Sequence, residues 1–160
     1  MITQELVKEL FDYHYGELYW RVSLSRSVKI GDAAGSVNST GYKQTRINGK
    51  IYQNHRLIFL WHHGYLPKKV DHKDNISLNN AIDNLRIATS IENGQNAKKR
   101  VDNTSGVKGV YKVKSEKKWR VQLSVGKTRK SFGSYHDIQI AKFIAETMRY
   151  KYHGAYANHG

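Results

Sequence analysis

VDHKDNISLNNAIDNLRIATSIENGQN, residues Val70 to Asn96, decides how this chain is read. Lys68-Lys-Val-Asp-His72 reads as an extended segment, followed by a polar loop rich in Asp and Asn up to Asn80. From Ile82 onward the apolar residues Leu85, Ile87, Ala88 and Ile91 fit a strand turn and then a helix capped at Ser90. Asn93 then falls in the first helical turn, so strand, loop, strand and helix follow one another within a short unit.

The same stretch carries a constellation suited to one kind of chemistry. Hydrolysing a phosphodiester needs an activated water, a cation on the developing charge, and a group that places the base. A neutral imidazole such as that of His72 takes a proton from water near pH 7. Asp71 alternates to the opposite side of an extended strand, where it can face a metal, and Asn93 offers a neutral oxygen one helix away. One carboxylate and an amide oxygen suit one hard divalent cation, Mg²⁺ or Mn²⁺, better than zinc, with water and phosphate oxygens completing the shell. Taken singly, an Asp-His pair is most often a surface turn, and loop Asn residues serve turns and caps. The joint spacing of Asp71, His72, Asn84 and Asn93 outweighs those readings. Arg86 is read either as a phosphate clamp or as a surface ion pair.

Working upstream, Tyr42–Ile47 and Lys50–Asn54 flank Asn48-Gly49, a strong two-residue hairpin signal. His55–His62 is an apolar run long enough for two helical turns, stopped by Gly64 and Pro67. His55 heads that helix as a packed or capping residue, or an accessory phosphate or metal contact; His62 and His63 are expected to face solvent. Glu17–Val22 reads as a strand, and Ile2, Leu6, Val7 and Leu10 fit a short N-terminal helix.

Downstream, composition changes. Residues 98–134 hold twelve Lys and Arg against two acidic residues, and 98–106 reads as a basic, turn-rich linker. Three strands follow, Gly109–Val113, Trp119–Val125 and Arg129–Phe132, then a helix from Asp137 to Tyr152 with Ile138, Ala141, Ile144, Ala145, Met148 and Tyr152 on one stripe. Trp119, Val121, Leu123 and Val125 alternate with Arg120, Gln122 and Ser124, so one sheet face is apolar and the other polar. The helix covers the apolar face; the open face carries Arg120, Gln122, Ser124, Arg129 and Ser131, with Tyr111 beside them.

The whole chain of 160 residues has a formal charge of +14 and no cysteine. The charge predicts salt-sensitive binding to polyanions, with double-stranded DNA as the default partner and RNA served equally well by charge alone. Without thiolates any metal must use oxygen or imidazole ligands, and no disulfide framework is possible. No apolar run approaches the roughly 18 residues of a membrane span, and the N-terminus lacks the pattern of a signal peptide. A cytoplasmic protein with no membrane partner and no small-molecule cofactor is expected.

Val70-Asp-His-Lys-Asp-Asn75, Asp83-Asn-Leu-Arg-Ile-Ala-Thr89 and Glu92-Asn-Gly-Gln-Asn96, with His55-Arg56 and Trp61 upstream, resemble the HNH nucleases of phage and intron homing endonucleases. The resemblance implies a ββα-metal architecture and a DNA endonuclease leaving 5′-phosphate and 3′-hydroxyl ends. It implies Asp71 and Asn93 on one divalent metal, His72 as general base, and Asn84 holding the His-bearing loop. The motif's last position, often His, is Asn93, which matches the homing-type branch and leaves Asn96 as a rival ligand. Residues 105–154, through Ser105-Gly-Val-Lys-Gly-Val110, Lys118-Trp-Arg-Val-Gln-Leu123 and Lys130-Ser-Phe-Gly-Ser134, resemble the AP2 DNA-binding domain. That resemblance puts base contacts on Tyr111, Gln122, Ser124, Arg129 and Ser131; the chemistry of the side chains adds Arg120, while Lys108, Lys112, Lys114 and Lys127 suit phosphates better than bases, a solvated charge being the favoured reading of any single one.

The expectation is therefore an α+β chain. A nuclease domain spans 1–97 with its core at 53–97, a basic linker spans 98–106, and a three-stranded antiparallel sheet packed on one helix occupies 107–160. A phage-encoded protein of this kind would act in the host cytoplasm. A noncatalytic DNA-binding regulator is the alternative, and the oligomeric state stays open with a monomer favoured.

Overall fold

In the computed structural model, which describes residues 2–160, the chain divides into two units, one ending at Ala88 and one beginning at Thr89. The first opens with α1 (Gln4–Leu10), whose N-cap Thr3 accepts a hydrogen bond from the Leu6 amide. The chain then turns directly into β1 (Phe11–His14), paired antiparallel with β2 (Glu17–Trp20). β1 lies outside the sequence expectation, because four residues abutting a helix are too few to show a period of two. β2 stops at Trp20 and not Val22, since the Arg21 amide bonds Leu10 O at 2.9 Å.

β3 (Ser36–Val37), β4 (Lys43–Ile47) and β5 (Lys50–Gln53) form an antiparallel sheet in that order. Asn48 and Gly49 take φ of 47° and 77°, the mirror-image turn whose twist matches the flanking strands. The hairpin leads into α2 (Asn54–His63), which ends at Gly64 in the left-handed conformation. Leu57, Ile58, Phe59 and Leu60 are all buried, and each such side chain contributes about 1.5–3 kcal/mol on leaving water. They pack with Val7, Phe11, Leu18, Trp20, Ile47 and Leu85 into one core. At the head of α2, buried Asn54 accepts from Thr45 Oγ1 at 2.7 Å and donates to Ala34 O at 2.8 Å, tying helix, strand and loop together. Last in this unit come β6 (Val70–His72) and β7 (Leu85–Ile87), an antiparallel ribbon whose return runs through a 3₁₀ turn at Ile82–Asn84.

The second unit begins with α3 (Ser90–Asn96). Its cap is Thr89, not Ser90: Thr89 Oγ1 accepts from the Glu92 amide at 3.2 Å, and the Thr89 amide donates to Glu92 Oε2 at 2.7 Å. Lys108 Nζ donates to the carbonyls of Gln95 and Ala97 at the end of α3, and Asn158 Nδ2 donates to Asn96 O at 2.9 Å. These bonds set the unit boundary ahead of residues 98–106 and group α3 with the C-terminal part. The 98–106 stretch is itself bonded, with Arg100 gripping Asp102 at 2.8 Å and Ser105 Oγ on Val110 O at 2.6 Å.

β8 (Val110–Val113), β9 (Lys118–Val125) and β10 (Thr128–Tyr135) form an antiparallel sheet with β9 central, and α4 (Ile138–His153), capped by Asp137, covers one face. Val110, Val121, Ala141 and Ala145 are the core, with Trp119, Phe132 and Ile144 packed around them. The buried stripe of α4 continues through Arg149 and His153, while Tyr152 is exposed. That departs from the expected Met148 and Tyr152 because the end of α4 lies over polar backbone: Arg149, 0% exposed, donates to Lys108 O and meets His159 Nδ1, and His153 Nε2 meets Ser124 O. The described residues form an α+β architecture of small antiparallel sheets and four α-helices. Among the described residues no helix is long and apolar enough to cross a membrane.

Candidate active site

The β6–β7 register sets Asp71 opposite Arg86 and His72 opposite Leu85. All three residues of β6 are buried, Asp71 at 7% and His72 at 5% exposure. A buried carboxylate needs a countercharge, and Arg86 supplies one: its Nε and Nη2 both donate to Asp71 Oδ2 at 3.0 Å. Arg86, expected at a DNA phosphate or in a surface ion pair, is thus placed in a largely buried pair with the expected metal ligand.

Asn84 closes the loop between the strands. Its Nδ2 donates to Asp74 Oδ1 at 2.9 Å and Asn79 O at 2.8 Å, and its Oδ1 accepts from the Asp74 amide at 3.2 Å. Desolvation raises the Asp74 carboxyl, but bonds from the Ile76 amide, Asn79 and Asn84 outweigh it and hold the carboxyl below its ordinary range. The loop begins one residue after His72, so this bonding fixes the segment that the imidazole adjoins.

His72 Nε2 lies 2.9 Å from Asn80 Oδ1, with both side chains buried. The His55 ring stands edge-on to the His72 ring at 4.9 Å, and Tyr42 lies 5.5 Å from His55 and 6.0 Å from His72. Burial, then the neighbouring His72 and Arg56, push the His55 imidazole down to about 3. His55 is therefore a neutral packing partner at working pH and not a cation for phosphate. His62, expected to face solvent, turns its ring edge to Tyr13 at 4.6 Å and keeps a buried Nε2, while His63 is exposed.

In the second unit Asn93 is exposed on the first turn of α3, its amide bonded to Thr89 O at 3.0 Å, whereas Asn96 is buried. The sheet register pairs Tyr111 with Arg120, Ser124 with Arg129, and Gln122 with Ser131, which brings the six expected DNA-contacting residues onto one face. Arg120 is held by Glu116 at 2.5 Å and by Ser134 Oγ at 3.2 Å. Part of this face is not open: Tyr111, Gln122, Ser124 and Arg129 line a cleft of about 840 Å³ whose other wall includes Ser90, Lys98 and Arg100. Lys108, read as a solvated charge or a phosphate contact, is instead spent on the α3 carbonyls, and burial followed by Arg149 pushes its ammonium down to about 8.

Residues 52–95 match the family described as HNH endonuclease. The chain is also 36% identical over 106 residues to Protein 3.8 of Escherichia phage T7, covering 64% of this chain and 87% of that protein. The chain belongs to one family with Protein 3.8 and carries an HNH endonuclease domain. No solved structure matches it. The HNH match takes in His55, Asp71, His72, Asn80, Asn84, Arg86 and Asn93.

HNH nucleases generally work with a divalent metal. Among the described residues no group of three or more His, Cys, Asp or Glu side chains is placed to hold an ion. Asp71 is the buried carboxylate beside His72, and its charge is already met by Arg86, so an ion bound there would have to share Asp71 with the guanidinium. Asn80 and Tyr42 are the neighbours of His72 that sequence reasoning missed. Asn80 is one of several Asn residues in the loop, and nothing in its spacing announces which one is buried.

Proposed function

We propose that the chain is a metal-dependent DNA endonuclease of the homing-type HNH branch, with His72 as general base. The supporting observation is the buried His72 of β6, held between Asn80 and His55 beside Asp71, inside the segment that matches the HNH family. In this reading Asp71 and Asn93 hold one Mg²⁺ or Mn²⁺, with Asn96 the rival for Asn93. The bound ion supplies charge stabilisation to the phosphate and leaving oxygen. His72 removes a proton from the attacking water. Asn84 restrains the 73–79 loop so that the imidazole keeps its position, and burial behind Tyr42 and His55 limits its rotation.

Residues 107–160 serve as an AP2-like targeting module whose contacts come from Tyr111, Arg120, Gln122, Ser124, Arg129 and Ser131. The shared sheet face supports this, since alternate residues of three adjacent strands present side chains in one direction. Purified protein should cut or nick plasmid DNA with Mg²⁺ or Mn²⁺, and His72→Ala should abolish cutting while DNA binding persists. Equal cutting by the variant removes His72 from the reaction. The Arg86–Asp71 pair favours a second reading, a DNA-binding regulator in which the guanidinium stands where a metal would act; salt-sensitive binding without cut products would establish it.

A further inference from the structure

The cleft of the second unit holds more positive charge than its own acids answer. Lys98, Lys99, Arg100, Lys108, Arg129 and Arg149 line it against one carboxylate, Asp102. Four of these cations are engaged within the unit: Arg100 grips Asp102, Lys99 Nζ donates to Gly106 O at 2.8 Å, Lys108 donates to the α3 carbonyls, and Arg149 donates to Lys108 O. In these bonds only Arg100 meets an anion, so the field in the cleft stays positive. Lys98 and Arg129, one on each wall, are exposed. Arg149 and His153 are 0% and 8% exposed, yet Arg149 Nε and His153 Nδ1 find no hydrogen-bond partner among the described residues. Buried polar atoms are nearly always bonded, and two exceptions in the lining of one cationic cleft mark it as a place for a polar, anionic ligand.

The walls carry apolar surface as well. Tyr111 of β8 and Ile91 of α3 both line the cleft and are 41% and 38% exposed. Gln122 and Ser124 of β9 add an amide and a hydroxyl to the same lining. A flat ring suits the first pair, hydrogen-bonding ring edges suit the second, and phosphates suit Lys98 and Arg129. Nucleotides combine all three.

We propose that this cleft binds an unpaired stretch of DNA, with a base against Tyr111 and Ile91, its edge toward Gln122 and Ser124, and the flanking phosphates on Lys98 and Arg129. The proposal rests on the reading of residues 107–160 as a DNA-contacting module and names the form of DNA that part of its face meets.

The facing walls decide between paired and unpaired DNA. A sheet reads a duplex by lying in a major groove about 12 Å wide, which requires a bare face. Tyr111, Gln122, Ser124 and Arg129 instead share a cleft with α3 and the 98–104 segment, whereas Arg120 and Ser131 stand outside it. Its volume of about 840 Å³ lies in the range that takes a compact ligand, roughly 300–1,000 Å³, a scale of one strand and not two. Stacking on an aromatic ring beside backbone-tracking charge is how proteins hold single strands.

The test is fluorescence anisotropy with the full chain in EDTA, which prevents metal-dependent cutting of the probe. The probes are a labelled oligothymidine of about 12 nucleotides, within the span of single-strand sites, the duplex of the same length, and oligouridine. Tyr111→Ala should weaken oligothymidine binding by about 5–150-fold, the loss of one stacked base, and duplex binding by a clearly smaller factor. Arg120→Gln, outside the cleft, should do the reverse. Lys98→Gln with Arg129→Gln should reduce the slope of log affinity against log salt for oligothymidine by about 1.4, or about 0.7 per phosphate. All of these positions but Arg120 are exposed, so the cleft variants should keep the fold. Unchanged oligothymidine affinity in Tyr111→Ala, an equal loss on duplex, an unchanged salt slope, or tighter binding of oligouridine overturns the proposal. Losses confined to the duplex leave the module reading standing without the unpaired strand, whereas variants that alter binding to neither DNA defeat both.

Discussion

Replacing Arg86 by Met removes the guanidinium that neutralises Asp71 and keeps an aliphatic stem of similar reach. Two donors converge on one carboxylate oxygen at 3.0 Å, and the two side chains are only 14% and 9% exposed. Breaking a buried ion pair from one side costs about 3–5 kcal/mol, and the remaining exposure places this pair near the lower limit, at about 3 kcal/mol. With a urea dependence of about 1–3 kcal/mol per molar, the unfolding midpoint followed by tryptophan fluorescence should fall by about 1–3 M. A divalent cation taken up by Asp71 would restore the countercharge. Mg²⁺ at a hundred times its dissociation constant should add about 2.7 kcal/mol to the variant, and the deficit should shrink to the extent that the variant binds the ion more tightly than the unaltered chain. Adding Asp71→Asn to Arg86→Met should recover most of the loss without metal. A single variant as stable as the unaltered chain, or a double variant no better than the single, would refute the countercharge argument; a single variant whose own stability does not rise with Mg²⁺ would refute Asp71 as a ligand.

Three further outcomes follow from the first unit. Gly16→Ala should lower stability by about 1–3 kcal/mol, because the new Cβ meets backbone at 2.7 Å and the left-handed φ of +89° is unfavourable for alanine; calorimetry showing an unchanged Tm would contradict it. Asn54→Ala leaves Ala34 O and Thr45 Oγ1 buried without their partner and should cost about 2–3 kcal/mol in urea denaturation. His55 sits at about 3 in the fold against an ordinary 6.5, so below 6.5 the unfolded chain takes up a proton that the folded chain refuses. Its contribution is complete above pH 6.5 and drains away as pH falls toward 3, on the order of a few kcal/mol in all; His55→Gln should flatten that part of the stability–pH curve.

What could be read in the sequence was whatever repeats. The Asn48-Gly49 hairpin, α2 and α4 are all marked by local chemistry, and the alternation through β9 alone places Arg120, Gln122 and Ser124 on one face. The cap of α3 was also legible but misassigned: Glu92 lies three residues after Thr89, the capping-box spacing, and Ser90 lacks that partner. What escaped depends on contacts distant in sequence. The Asp71–Arg86 pair exists because a strand register brings together residues 15 apart, and Asn80 is distinguished from its loop neighbours by burial alone. Arg149 displaces Met148 from the buried stripe because Lys108 O and His159 await it, a demand made by the tertiary fold and not by helical period.

Arg149 also changes how this protein should be handled. A guanidinium sealed inside the second unit, with a carbonyl and an imidazole for partners, adds to the self-repulsion of a chain whose formal charge is +14. For such a molecule a bound polyanion would also be a folding ligand, because anything bound only by the folded form deepens its stability. If the second unit binds DNA as proposed, its weakest state is the protein alone in dilute salt and its strongest is the protein on DNA.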